Sequence, residues 1–269
     1  MPRPKPVASS VFADSDWGLA DMWPRVRFSL VLLLTYVIFL LVQLPANQVL
    51  PRLALPKGVE FSGASGTLWQ GKLGQLVLQG FPVDEVHWQL NPWPLLLGQI
   101  ALELDAGDLR DADALALKGQ INLSSDEIQA EDLQLYLPTA PVIARLPLPL
   151  PVKAGGRFKL AIDNLAIADR QCQRLQGQGQ WLNASVAGTQ GPIALGQFDA
   201  QLTCSEGTLE IQVQEPNSFG LSATAIVPAN FKIRVQGRFK PDASLPQEVH
   251  DAARFFGQPD AQGYYRVKL

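Results

Sequence analysis

The stretch QLVLQGFPVDEVHWQL, Gln75–Leu90, decides the fold. Leu76 and Leu78 alternate with Gln75, Val77 and Gln79, and Val86, Trp88 and Leu90 alternate with Glu85, His87 and Gln89. A period of two marks extended strands with one apolar and one polar face. Gly80-Phe81-Pro82 between them is a turn signal. The period returns in Ile100, Leu102 and Leu104, in Leu115, Leu117, Ile121 and Leu123, and in Leu133, Leu135 and Leu137. It continues in Phe158, Leu160 and Ile162, in Leu209, Ile211 and Val213, and in Phe231, Ile233 and Val235.

This pattern predicts about ten to twelve strands, joined by turns too short for crossover helices and therefore antiparallel. A sheet that long with one greasy face must curl around that face or fold into two layers. The expected fold is all-β, with Trp69, Trp88 and Trp181 in the apolar layer and His87 facing water. One helix stands apart near the C-terminus. Ser244 is its expected N-cap and Pro246 lies in its first turn. Leu245, Val249, Ala252, Ala253 and Phe256 recur at helical spacing, and Gly257 is the stop.

Upstream of the strands lies an uninterrupted apolar run, FSLVLLLTYVIFLLVQL, which includes Phe28, Leu34, Phe39 and Leu44. No charged residue occurs between Arg27 and Arg52. A helix of this run rises roughly 26 Å, and its uncharged flank supplies the rest of a bilayer core. Residues 28–47 are thus expected to form a single transmembrane anchor in the lipid bilayer. Arg3, Lys5, Arg25 and Arg27 precede it, which keeps the N-terminus in the cytoplasm and exports the chain beyond Pro45. Trp23, Arg25 and Arg27 sit where interfacial anchors belong. The tail 1–27, with Pro2, Pro4 and Pro6 ahead of Asp14, Asp16 and Asp21, reads as disordered and cytoplasmic. A cleavable signal peptide is the rival reading. It needs a shorter leading region and small residues before the cut, whereas Leu44-Pro45-Ala46 closes this run.

The remainder, 48–269, is long enough for a sizeable core. A net charge of −3 spread over both signs leaves no basic footprint for nucleic acid. Cys172 and Cys204 are the only cysteines. In an oxidising compartment such a pair forms a disulfide, for which loop closure contributes about 3–4 kcal/mol; two buried free thiols are the alternative. There is no CxxC, and His87 and His250 are the only histidines, so no metal site is expected. No catalytic residue stands out. Gly63-Ala64-Ser65-Gly66 lacks the register of a nucleophile elbow, and no glycine-rich loop precedes a helix, so no cofactor is expected. The acidic pairs Asp84-Glu85, Asp126-Glu127 and Glu131-Asp132 read as solvated turns. The chain is not expected to be an enzyme.

Pro94–Ile100 and Pro192–Phe198 share the pattern P-x-x-L-G-Q-apolar, which points to two similar halves, 57–137 and 152–269. The proline-rich Pro138–Pro151 between them is expected to be an extended link.

Three blocks carry a resemblance. Leu55–Val59 with Ser65–Gly71, then Val86–Leu90 with Pro94–Gly98 after it, and lastly Phe256–Tyr265 resemble the type II secretion system protein N family. The Gly66-Thr67-Leu68-Trp69-Gln70-Gly71 segment is also similar to AsmA/TamB-like anchored β proteins. The first resemblance implies a non-enzymatic structural or assembly component of the Gram-negative machine that exports folded proteins. That component would sit in the cell inner membrane with a periplasmic β domain, touching the inner-membrane platform and the secretin. The second implies a periplasmic groove that binds or transfers lipid. The tryptophans at 69, 88 and 181 would plug a narrow lane, which favours a sealed core.

Overall fold

A computed structural model of the chain describes residues 19–52, 58–78, 80–228 and 233–269. The expectations for 1–18, for Leu55–Lys57 and for Phe231 lie outside these residues, as do the side chains of Trp23 and Arg25. The chain divides into two compact units, Met1–Leu44 and Pro45–Leu269.

The first unit carries helix α1, Leu19–Val42. Its side chains from Val26 onward are exposed on every face, Phe28, Leu34 and Phe39 included. Thr35 donates its hydroxyl to the Val31 carbonyl at 2.8 Å, so its polar group is satisfied inside the helix. Among the described residues no helix is long and apolar enough to cross a membrane.

The second unit opens with a short helix α2, Ala46–Val49. Strands β1 (Val59–Ser62), β2 (Ser65–Gly66), β3 (Gln70–Leu78) and β4 (Phe81–Asn91) come next, then helix α3 (Pro92–Leu95). After it stand β5 (Ile100–Ala106), β6 (Ala116–Leu123), β7 (Glu127–Pro138) and helix α4 (Thr139–Ile143). The long strands β8 (Ala154–Ala168), β9 (Gln171–Gly188) and β10 (Gly191–Ser205) precede β11 (Thr208–Val213), β12 (Ser222–Val227) and β13 (Arg234–Phe239). Helix α5 (Gln247–Ala253) and β14 (Tyr265–Lys268) complete the unit.

Among the described residues, fourteen strands form one antiparallel sheet whose strands pair in chain order, with β2 pairing β3 to one side. The excess over ten to twelve comes from short pieces, chiefly the two-residue β2 and the four-residue β1 and β14, too brief to show a period. The turn after β4 is helical because Pro92 starts it and the Asn91 side chain accepts the Trp93 N–H at 3.1 Å. The C-terminal helix begins later than expected, with Pro246 at its N-cap. The Ser244 N–H instead bonds to Asp242. Gly257, at φ 112°, ends the helical turn after α5.

Two of the acidic pairs are strand features rather than turns. Glu85 (φ 52°) lies within β4 and Asp132 (φ 49°) within β7. Each takes a left-handed conformation that resets the side-chain phase. Val83 and Val86, three residues apart, are therefore both buried, and the β6–β7 register shifts beside Asp132. Asn183 (φ 50°) does the same against Gly156 at the β8–β9 shift. Asp126-Glu127, by contrast, does stand at a turn. The two copies of the P-x-x-L-G-Q pattern lie in unlike elements: Pro94 and Leu95 in α3, Pro192–Phe198 in β10. The sheet runs on across the proline-rich link, because β7 pairs with β8 from Glu127↔Ala168 to Pro138↔Arg157.

One buried cluster gathers Leu73, Val83, Val86, Ala106 and Leu115, with Leu50, Phe61 and Trp88 packed against it. A second holds Cys172, Leu175 and Leu202. A third holds Ala184, Leu195 and Phe198, with Trp181 against them. Cys172 and Cys204 stand at disulfide distance, their Cα atoms 5.6 Å apart, and tie the ends of β9 and β10 together.

Candidate functional site

Strands β9 to β14 do not close on each other. Their apolar face encloses a cavity of about 600 Å³. Trp181 on β9 and Val267 on β14 both line it, although five strand spacings, about 24 Å in a flat sheet, separate those strands. The sheet must curl for both to face one cavity of this volume. The far wall is α5, through Val249 and Ala252, with Phe256 from the helical turn that follows it and the link residues Leu148 and Leu150. The proline-rich stretch is thus folded over the sheet.

Local sequence places each part. Trp181 is the centre of an aromatic row, its ring 5.5 Å from Phe158 on β8 and 5.2 Å from Phe198 on β10. Its Nε1–H donates to the Gly155 carbonyl at 3.0 Å, so the indole is oriented as well as packed. On the opposite side Phe239 gathers Phe219 at 5.2 Å, Phe256 at 5.1 Å and Tyr265 at 5.5 Å. Glu248 accepts the Thr189 N–H at 2.8 Å, which pins α5 to the β9–β10 turn. The neighbouring loops are set by carboxylates in Asx turns. Asp242 accepts the Ser244 N–H, and Asp260 accepts from Tyr264 and Gln262. These bonds hold both carboxyl groups below the ordinary carboxylate value, the Ser244 N–H being the main cause for Asp242 and the Tyr264 N–H for Asp260.

Among the described residues, the charged ones on the wall are Lys153 and Glu248. An acid–base pair aimed into the space is missing from that wall, and among the described residues no group of His, Cys, Asp and Glu could hold a metal ion. What the arrangement offers is apolar burial of a size suited to a small apolar ligand.

The other singled-out residues lie elsewhere. Trp88 is half-buried in the first cluster, and its Nε1–H donates to the Leu68 carbonyl at 3.0 Å. His87 is exposed. Trp69 is half-buried at the end of the sheet, where its carbonyl accepts the Leu90 N–H at 2.7 Å. The structure brings none of these to the cavity; of the three tryptophans only Trp181 borders it, and it does so without filling it. The apolar face is therefore not sealed along its whole length. Sequence reasoning missed the cavity because the period identifies an inward face and not whether side chains meet across it. The clearest available signal was small residues at inward positions, Ala223 and Ala225 of β12, which leave room.

A family model described as "Type II secretion system (T2SS), protein N" matches residues 57–268. The chain is 33% identical over 243 residues to type II secretion system protein N of Vibrio cholerae, covering 88% of this chain and 93% of the relative. It is 31% identical over 256 residues to the protein of that name from Aeromonas hydrophila, with 92% and 98% covered. Against the protein of that name from Klebsiella pneumoniae it is 24% identical over 243 residues, with 89% and 92% covered. No solved structure matches.

Proposed function

Because the chain belongs to the type II secretion system protein N family, we propose that it is a non-enzymatic structural or assembly subunit of that apparatus, held in the cell inner membrane by a single span. On this reading the run Phe28–Leu44 is the span, its residues Phe28–Val42 lying in α1 with every side chain exposed, and the N-terminus is cytoplasmic and the sheet periplasmic. An apolar helix with no buried side has its lowest free energy in hydrocarbon. The cysteine pair at disulfide distance agrees with an exported compartment. Its partners are other subunits, in the inner-membrane platform and at the secretin. The single observation that carries this reading is the family match across almost the whole sheet. The test is to isolate the full chain from its own cells after mild crosslinking and to identify what comes with it. Platform or secretin subunits are expected; their consistent absence would defeat the reading.

A second reading has the apolar cavity in its favour. A space of about 600 Å³ lined almost wholly by apolar side chains suits an acyl chain better than a peptide. On that reading the domain binds or transfers lipid, as AsmA/TamB-like proteins would. Lipid retained by the protein through gentle purification, and lost on Ala225→Phe, supports it; a cavity that retains none removes it.

A further inference from the structure

Among the described residues of the second unit, the turn directly after β4 carries the most exposed large apolar side chains. Trp93 is 75% exposed, and Leu96 and Leu97 are each 80% exposed. No Asp, Glu, Lys or Arg lies between Glu85 and Glu103. Single exposed apolar residues need no explanation, but three of this size within five residues of one tip do. We propose that this tip dips into the surface of the bilayer that holds α1, as a second membrane contact beside the anchor; the proposal rests on the reading of α1 as that anchor.

Position is the first argument. Pro45, the residue after the anchor unit, forms a bridge with Thr67. The Thr67 N–H bonds to Gln70, and the Leu90 N–H bonds to Trp69 at 2.7 Å, one residue before the tip begins at Asn91. Ala46 is fully buried and Leu50 packs on the Leu73–Val83 cluster, so the chain leaving the membrane is fixed to this end of the sheet. A bilayer surface that meets Pro45 must lie close to the tip. Three fully described turns at this end are polar by contrast: Ser124–Asp126, Asp169-Arg170 and Glu206-Gly207.

Chemistry is the second argument. Most of the tip's backbone donors are satisfied within it. The N–H groups of Trp93, Leu96, Leu97, Gly98 and Gln99 bond within it, and Pro92 and Pro94 have none to lose. Satisfied donors are what a loop needs at membrane depth. Tryptophan also prefers the headgroup boundary, where its ring is buried and its N–H stays wet.

The test uses the full chain in liposomes of phosphatidylethanolamine and phosphatidylglycerol. Both native cysteines are paired, so a single introduced thiol can carry an environment-sensitive dye. Leu97→Cys reports the tip, Leu34→Cys the anchor and Ser125→Cys a polar turn. Lipids brominated along their acyl chains are expected to quench the dye at 34 and 97 and leave 125 bright. Quenching at 34 but not 97, with 97 open to aqueous iodide, overturns the tip and leaves the anchor standing. A dye at 97 shielded from both quenchers means that protein covers the tip, which also overturns the proposal. No lipid quenching at 34 removes the anchor reading and the proposal with it.

Discussion

Trp88 and Gly71 face each other across the β3–β4 ladder, and the indole lies where a Gly71 side chain would be. A Cβ on Gly71 would meet the ring at 2.4 Å and the Ser65 carbonyl at 2.6 Å. Gly71→Ala is therefore expected to destabilise the domain by about 1–3 kcal/mol, through overpacking against backbone that cannot move aside. Trp88→Ala removes a half-buried ring and leaves the Leu68 carbonyl without its donor. We expect a loss of about 2–4 kcal/mol, visible as a lower melting temperature and faster proteolysis. His87→Ala, exposed on the other face, is expected to change stability by less than about 0.5 kcal/mol. If Trp88→Ala keeps full stability but loses an associated subunit or lipid, that face is a binding surface and not core. Arg157 is a residue whose role could not be read from its place in the alternation. It is buried, with no carboxylate partner among the described residues, and its guanidinium donates to the Leu109 carbonyl at 2.7 Å and the Ala114 carbonyl at 3.2 Å while lying over the Tyr136 ring. A lysine offers one point donor where this fork spans two turns of a loop. Arg157→Lys is expected to expose the loop 107–115 to protease before the rest of the sheet melts; equal protection throughout would show that the fork is dispensable.

At the scale of elements, the sheet was legible because its period is two over most of its length, and Gln75–Leu90 alone indicates an antiparallel pair. The bulges were not legible. Glu85 and Asp132 each sit in an acidic pair that resembles a turn, and their left-handed backbone serves the strand instead. The C-terminal helix was legible by spacing, but its start was not, since Ser244 is drawn into the Asp242 turn and Pro246 takes the cap. The disulfide staples β9 to β10 across 32 residues of chain, worth about 3–4 kcal/mol in the chain-entropy picture. Alkylation of the unfolded, unreduced protein is expected to leave Cys172 and Cys204 unmodified, with both labelled after reductant. Labelling before reduction would show free thiols. The two Asx turns predict an acid effect. Asp242 and Asp260 have folded values below the ordinary carboxylate range, so their contribution is complete above that range and is lost as pH falls through the lowered folded values. Asp260→Asn, which keeps an acceptor but cannot titrate, should flatten the acid limb of the stability profile. An unchanged limb would mean that the Tyr264 bond carries no stability.

For the whole molecule, the parts are an apolar helix in the first unit and, in the second, a sheet whose strands pair in chain order and an apolar cavity lined by strands β9 to β14. Family membership gives the apparatus in which such a part works, while the cavity and the tip are features of this chain's own packing. All of it depends on the sheet lying outside the cytoplasm. The arginines before Phe28, the cysteine pair and the proposed tip each assume that orientation. A phosphatase that folds only outside the cytoplasm measures it directly. Fused after Leu269, the enzyme is expected to be active, and fused before Arg25, inactive. Activity at the N-terminal fusion and none at the C-terminal one would place the sheet in the cytoplasm and overturn the orientation on which every part depends.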